Sequence, residues 1–229
     1  MLDTLRSEVL EANLELVRRG LVIYTFGNAS GVSRDERLVV IKPSGVPYEE
    51  MTPGHMVITD FEGRVVEGKL RPSSDLATHL ALYRAFPAIG GVVHTHSRHA
   101  TAWAQAGREI PCFGTTHADY FHGSVPITAH LTAEEIDADY EGNTGVAIVR
   151  RFHGRDPLDC PAVLVAGHGP FSWGKTAGQA AHNAVILEEV AAMALETVTI
   201  NSEASGISEA QRNKHYFRKH GPKATYGQG

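Results

Sequence analysis

The chain has 229 residues, 42% of them hydrophobic, and a formal charge of −5. That length buries a full core, the apolar share is ordinary for a globular protein, and the negative charge argues against a nucleic-acid partner. No apolar run approaches the ~20 residues of a membrane span and the N-terminus carries no signal-peptide core, so neither a membrane nor secretion is expected. Cys112 and Cys160 stand far apart, each beside a proline. Two such cysteines make no disulfide framework, and a reducing cytoplasm is the expected location.

Residues 2–19 place Leu5, Val9, Ala12 and Leu16 at helical spacing and close with Arg18, Arg19 and Gly20, which predicts an amphipathic helix. Leu21-Val22-Ile23-Tyr24-Thr25 reads as a strand, and Phe26-Gly27-Asn28-Ala29-Ser30-Gly31 as a glycine-punctuated turn. Residues 37–42 predict the next strand, closed by Pro43-Ser44-Gly45, and residues 56–59 and 64–66 a hairpin. After Arg71-Pro72-Ser73-Ser74-Asp75, a stripe of Leu76, Leu80 and Tyr83 marks a helix that stops at Pro87, with Ser74 or Asp75 placed to cap it. Asn28, Ser44 with Gly45, and Ser73 with Ser74 thus lie on three loops. Together they form a candidate phosphate cradle of hydroxyls and backbone N–H groups.

Gly90-Gly91-Val92-Val93-His94-Thr95-His96 reads as a short buried strand entered through a turn, with His94 and His96 on one face. A bare His-x-His is as compatible with two structural histidines as with a metal site. A second strand-like run at 162–166, however, ends in Gly167-His168-Gly169-Pro170, where flanking glycines free the backbone of His168. Three imidazoles with an open fourth position is a catalytic zinc arrangement, whereas structural zinc sites close with cysteines. Imidazoles do not select strongly, so manganese and cobalt stand as alternatives.

Residues 98–106 predict a helix stopped by Gly107, and Gly114-Thr115-Thr116-His117-Ala118-Asp119-Tyr120 a polar active-surface loop. Capping-box openings at Thr132 with Glu135, Thr176 with Gln179 and Ser208 with Gln211 announce three later helices. Trp103 and Trp173 read as core aromatics, and His99 and His182 as structural. No repeat or linker interrupts the chain, so residues 1–229 are expected to form one domain.

In their order, Gly27-Asn28-Ala29-Ser30, Ile41-Lys42-Pro43-Ser44-Gly45, Pro72-Ser73-Ser74-Asp75, His94-Thr95-His96-Ser97-Arg98-His99, Thr115-Thr116-His117-Ala118-Asp119-Tyr120, Gly167-His168-Gly169-Pro170-Phe171, and the tail from Lys214-His215-Tyr216 to Tyr226-Gly227-Gln228 resemble the class II aldolase family, and within it the L-ribulose-5-phosphate 4-epimerases. The likeness spans nearly the whole chain. It implies an α/β fold with a central, mostly antiparallel sheet flanked by helices, and a homotetramer with active sites at subunit interfaces. It also implies zinc on His94, His96 and His168 with Asp75 beside the metal, and substrate binding by Asn28, Lys42, Ser44, Gly45, Ser73, Ser74 and Thr115. The proton-transfer pair would be Asp119 and Tyr226. Tyr226 and His215, within a tail of about residues 208–229, would come from a neighbouring subunit. Thr225 stands where the family carries a second aromatic.

The implied reaction is inversion of C4 of L-ribulose 5-phosphate, a small sugar phosphate. The C4 proton is not adjacent to the C2 carbonyl and is not acidic, so the feasible route breaks C3–C4. The C4 hydroxyl loses its proton, C4 becomes an aldehyde carbon, and the bonding pair moves toward the C2 oxygen. Glycolaldehyde phosphate and a dihydroxyacetone enediolate result; the aldehyde turns, the bond reforms on its other face, and D-xylulose 5-phosphate is released. A proton leaves one side and returns on the other, which needs two acid–base groups. Two alternatives carry other expectations: an L-fuculose-phosphate-type aldolase, which places a glutamate where Asp75 stands, and a non-catalytic adducin-head-like scaffold, which needs no histidine triad.

Overall fold

A computed structural model describes residues 2–221 together with Ala224 and Thr225. Seven strands, Asn28–Ser33 (β1), Leu38–Ile41 (β2), Val57–Asp60 (β3), Val65–Glu67 (β4), Gly91–His94 (β5), Ala162–Val165 (β6) and Gly169–Gly174 (β7), form one sheet in the order β4-β3-β2-β1-β5-β7-β6. Every strand pair in it is antiparallel. Helices Leu2–Arg18 (α1) and Ala177–Ile200 (α6) cover one face; Leu76–Ala85 (α2) and Ala133–Arg151 (α5) cover the other. Arg98–Gln105 (α3) packs beside α6 on β6 and β7, and Thr115–Ala118 (α4) meets Glu209–Lys219 (α7). This is the single α/β domain with an antiparallel sheet that the family resemblance implies.

Strand alternation sorts the core. Val39, Ile41, Val92, Phe171 and Trp173 point toward α2 and α5, while Ala29, Val40, Ile58 and Val93 meet α1 and the alanines of α6. Gly31 and Gly91 are cross-strand partners on the α1/α6 face. A Cβ on Gly31 would strike Leu5 and Val9, and one on Gly91 the backbone of Ala177. These glycines let both helices lie close against the central strands.

Two expectations reverse. Residues 21–25 form no strand: Ile23, Tyr24 and Phe26 are exposed, Tyr24 has φ +54°, and no ladder partner reaches them. The predicted turn at Asn28 is instead the start of central strand β1, because β2 and β5 pair with it on both sides and satisfy its backbone. The strand β7 after His168 is a further element that the glycines around that histidine concealed. Thr132 makes the full capping box, whereas Thr176 and Ser208 each accept from the backbone of the glutamine three residues on. Trp103 and Trp173 are buried, their indole N–H groups donating to the Ala191 and Pro157 carbonyls.

Candidate metal centre and anion cradle

His94 is the last residue of β5, and cross-strand pairing sets it between Asn28 of β1 and Phe171 of β7. Its ring stacks on Phe171 with centroids 4.2 Å apart. The strand ends there, so His96 lies beyond it, yet its Nε2 still comes within 3.0 Å of His94 Nε2. His168 sits in the turn between β6 and β7, after Gly167 at φ +71°, its ring 4.7 Å from that of His94 and 5.0 Å from that of His96. One ligating nitrogen from each lies within 4.8 Å of the others. Only His94 thus lies on a strand; His96, expected on the same strand face, and His168 lie in the segments that follow β5 and β6.

The donor chemistry fits a divalent ion. Burial pushes His94 down to about 3 and lowers His168, so both rings are neutral near pH 7. His94 Nδ1 faces the Pro170 carbonyl at 2.9 Å, and a carbonyl only accepts, so Nδ1 carries the hydrogen and Nε2 presents a lone pair to the cluster. The chain after His96 is held by Glu188 of α6, which accepts from the His99 and Ala100 N–H groups at 2.8 and 3.0 Å and meets His99 Nδ1 at 2.7 Å. His99 is thereby part of a helix-start clamp.

Asp75 stands at the start of α2 but makes no capping bond; its Oδ2 accepts from Asn28 Nδ2 at 2.6 Å. The expected cap is thus overruled by the pull of the site. Burial alone would raise the Asp75 carboxyl, and the neighbouring His94 and His79 with the Asn28 amide reverse that and hold it below its ordinary value. Behind it, Ser30 Oγ bonds His79 Nδ1 at 2.7 Å and Tyr83 OH at 2.8 Å, anchoring α2 to β1 beneath Asp75.

The cradle residues converge as well. Ser44 N–H donates to the Arg71 carbonyl and Ser73 N–H to the Lys42 carbonyl, both at 2.9 Å, which ties the two loops side by side. Ser44, Gly45 and Ser74 are exposed at the surface of that seam, Ser73 is buried, and Gly45 has φ +71°. Lys42 is 2% exposed, its ammonium over the Tyr48 ring and donating only to the Thr25 and Pro43 carbonyls at 3.2 and 3.4 Å. Burial lowers its pKa, and no carboxylate pairs with it among the described residues. A buried ammonium without a carboxylate partner, at the end of the strand that leads into a seam of serine hydroxyls, can hold an anionic ligand.

Asp119 belongs to a second cluster. It receives His215 Nδ1 at 3.0 Å, the Arg218 guanidinium at 2.8 and 3.0 Å, and Lys219 Nζ at 3.3 Å, all from α7 of the same chain. Burial opposes the charge, and these donors hold the carboxyl below its ordinary range. His215 therefore travels with Asp119 and needs no second subunit to reach it. Thr115, whose carbonyl accepts the Asp119 N–H at 2.9 Å, lies with this group and not with the cradle. Tyr226 lies outside the described residues. His117 Nε2 donates to the Gly123 carbonyl, 2.7 Å away, within its own loop.

One contact at the metal centre had no sequence signal: the Tyr140 phenol of α5 lies 3.1 Å from His168 Nδ1. It is 28 residues from that histidine in a helix whose pattern announces only packing.

Residues 7–195 match the model of the class II aldolase and adducin N-terminal domain. Among solved structures, an L-fuculose 1-phosphate aldolase is 24% identical with a TM-score of 0.82, covering 94% of this chain and 95% of its own. The L-fuculose 1-phosphate aldolase of Glaciozyma antarctica PI12 is 18% identical with a TM-score of 0.77, covering 97% and 84%. That of Thermus thermophilus is 24% identical with a TM-score of 0.69, covering 88% and 99%. At these identities the structures share a fold with this chain, and the family match is what assigns it. With most of its length matched and a histidine cluster able to take a metal, the chain belongs to the class II aldolase and adducin N-terminal domain family.

Proposed function

We propose that this protein epimerises L-ribulose 5-phosphate at C4, giving D-xylulose 5-phosphate by breaking and remaking the C3–C4 bond. His94, His96 and His168 would hold the metal, zinc or in its place manganese or cobalt, with Asp75 beside it. When bound, such an ion supplies Lewis-acid stabilisation of the oxygen charge that develops as C3–C4 breaks. Lys42, Asn28 and the Ser44-Gly45 and Ser73-Ser74 seam hold the phosphate, and so keep the aldehyde fragment in place while it turns. Asp119, ionised among the cations of α7 and bonded to His215, is one proton carrier. Tyr226 is assigned the other face, with the tail reaching a neighbouring subunit of a homotetramer.

The observation that carries this reading is the state of Asp75. It is half-buried beside the histidines, tied to Asn28, and one methylene shorter than the glutamate that fuculose-phosphate-type aldolases place there, so its carboxylate is kept at the metal. Proton transfer then falls to a separate pair, which only epimerisation requires. The fuculose-phosphate aldolases among the similar structures favour a second reading, a sugar-phosphate aldolase using the same bond cleavage. Product analysis separates the two. Zinc-loaded protein incubated with L-ribulose 5-phosphate should yield D-xylulose 5-phosphate as main product. Net release of lactaldehyde and dihydroxyacetone phosphate from L-fuculose 1-phosphate, without epimerisation of the pentose, would replace the first reading with the second.

A further inference from the structure

Helix α5 does not run straight. At Asp139 the backbone leaves the helical region (φ −167°, ψ 91°), and the Asp139 carboxylate accepts the Gly142 N–H at 3.1 Å, as an N-cap does at the start of a new helix. Gly142 permits this, because a Cβ there would run into that carboxylate. Asn143 Nδ2 reaches back across the break to the Glu135 carbonyl at 2.7 Å, and Thr144 Oγ1 donates to the Tyr140 carbonyl at 2.8 Å. Thr78 of α2 donates to the Glu141 carbonyl at 2.6 Å, and Gly145 leaves no room for a Cβ beside Ala81. Tyr140 is thus the first residue of a new helix that is pinned to α2, the helix that begins at Asp75. The break aims its phenol at His168 Nδ1, 3.1 Å away.

We propose that Tyr140 is the positioning residue of His168, acting through the imidazole and not on the substrate. The inference rests on the metal reading of this site and adds the group that orients its third ligand. For His168 to offer a lone pair to the cluster from Nε2, its Nδ1 must carry the hydrogen and donate to the phenol oxygen. That is the part the Pro170 carbonyl plays for His94. The need is greater at His168, because its backbone lies between two glycines and does little to fix the ring. Tyr140 is 37% exposed, so removing its hydroxyl takes little from the core.

The test compares metal binding by the full-length wild type and Tyr140→Phe. Metal-free proteins are titrated with zinc against a chromophoric chelator and with cobalt by its visible absorption. Tyr140→Phe should bind both metals about 10–100-fold more weakly and shift the cobalt band, with unchanged circular dichroism and melting temperature of the metal-free protein. Equal affinity and an equal cobalt spectrum would overturn the inference, as would a fall in metal-free stability with affinity intact. Wild type that binds neither ion would overturn the metal reading and the inference together. If the phenylalanine variant does not fold, Asn143→Ala releases the break while keeping the phenol and should also weaken cobalt binding; unchanged binding there counts against the proposal.

Discussion

His117 illustrates how one buried side chain gives the fold a pH limit. It is 4% exposed, and burial pushes its pKa down to about 4, only partly offset by the bond to the Gly123 carbonyl. The unfolded chain takes up a proton near the ordinary value of 6.5, while the folded chain refuses it until about pH 4. Between those values the unfolded state binds more protons, so stability is full above 6.5 and falls as the pH drops toward 4. The slope contributed by one such histidine is up to about 1.4 kcal/mol per pH unit. Urea unfolding of His117→Gln, which can keep a donor toward Gly123, should show a flatter stability profile across this window. A profile parallel to the wild type would mean that His117 is protonated in the folded chain. The two cysteines are inert by the same argument: burial raises Cys112 to about 11 and Cys160 to about 12, and both are free.

Among the elements, the central strands depend on glycine where helices cross them. Gly91→Ala would press a methyl group into the Ala177 backbone at the start of α6, which cannot move without dragging the helix. A loss of about 1–3 kcal/mol is expected from overpacking, read as a lowered denaturation midpoint. Gly114→Ala is the control: its backbone is extended and nothing lies within 4 Å of the new Cβ, so its midpoint should stay at the wild-type value. These positions also mark how far the sequence could be read. Helices with clear stripes or caps, such as α1, α2 and the one opened by Thr132, were legible because local signals and tertiary packing agree. Strand β1 was not, since Asn28-Ala29-Ser30-Gly31 has the composition of a turn and becomes a strand only through its two neighbours. Conversely, Leu21 to Thr25 has strand composition and no partner, and the Tyr48 hydroxyl instead fastens the following loop at the Phe26 and Gly27 carbonyls. The grouping of the three histidines was legible because a His-x-His and a glycine-flanked histidine each close a strand-like run. Tyr140 was hidden, because its meeting with His168 depends on a helix break that no periodicity encodes.

At the scale of the molecule, the sheet joins two kinds of site. Its middle strands bring Asn28, His94 and, through the β6–β7 turn, His168 to one end, where α2 adds Asp75 and the loops after β2 and β4 add the cradle. The Asp119 group is built apart from it by α4 and α7, and its donors include none of the three histidines. A reaction that needs both sites must therefore bring them together, and assembly of several copies with the tail crossing between them is the arrangement proposed here. In the proposed reaction the histidine site makes and breaks a carbon–carbon bond. The direct measurement is condensation of dihydroxyacetone with glycolaldehyde phosphate by zinc-loaded wild type, beside His96→Ala. Wild type should form pentulose 5-phosphate, and the variant, short of one ligand, should form at least about 100-fold less. Epimerisation of L-ribulose 5-phosphate by wild type with no condensation, and with no carbon isotope effect at C3 or C4, would contradict the account.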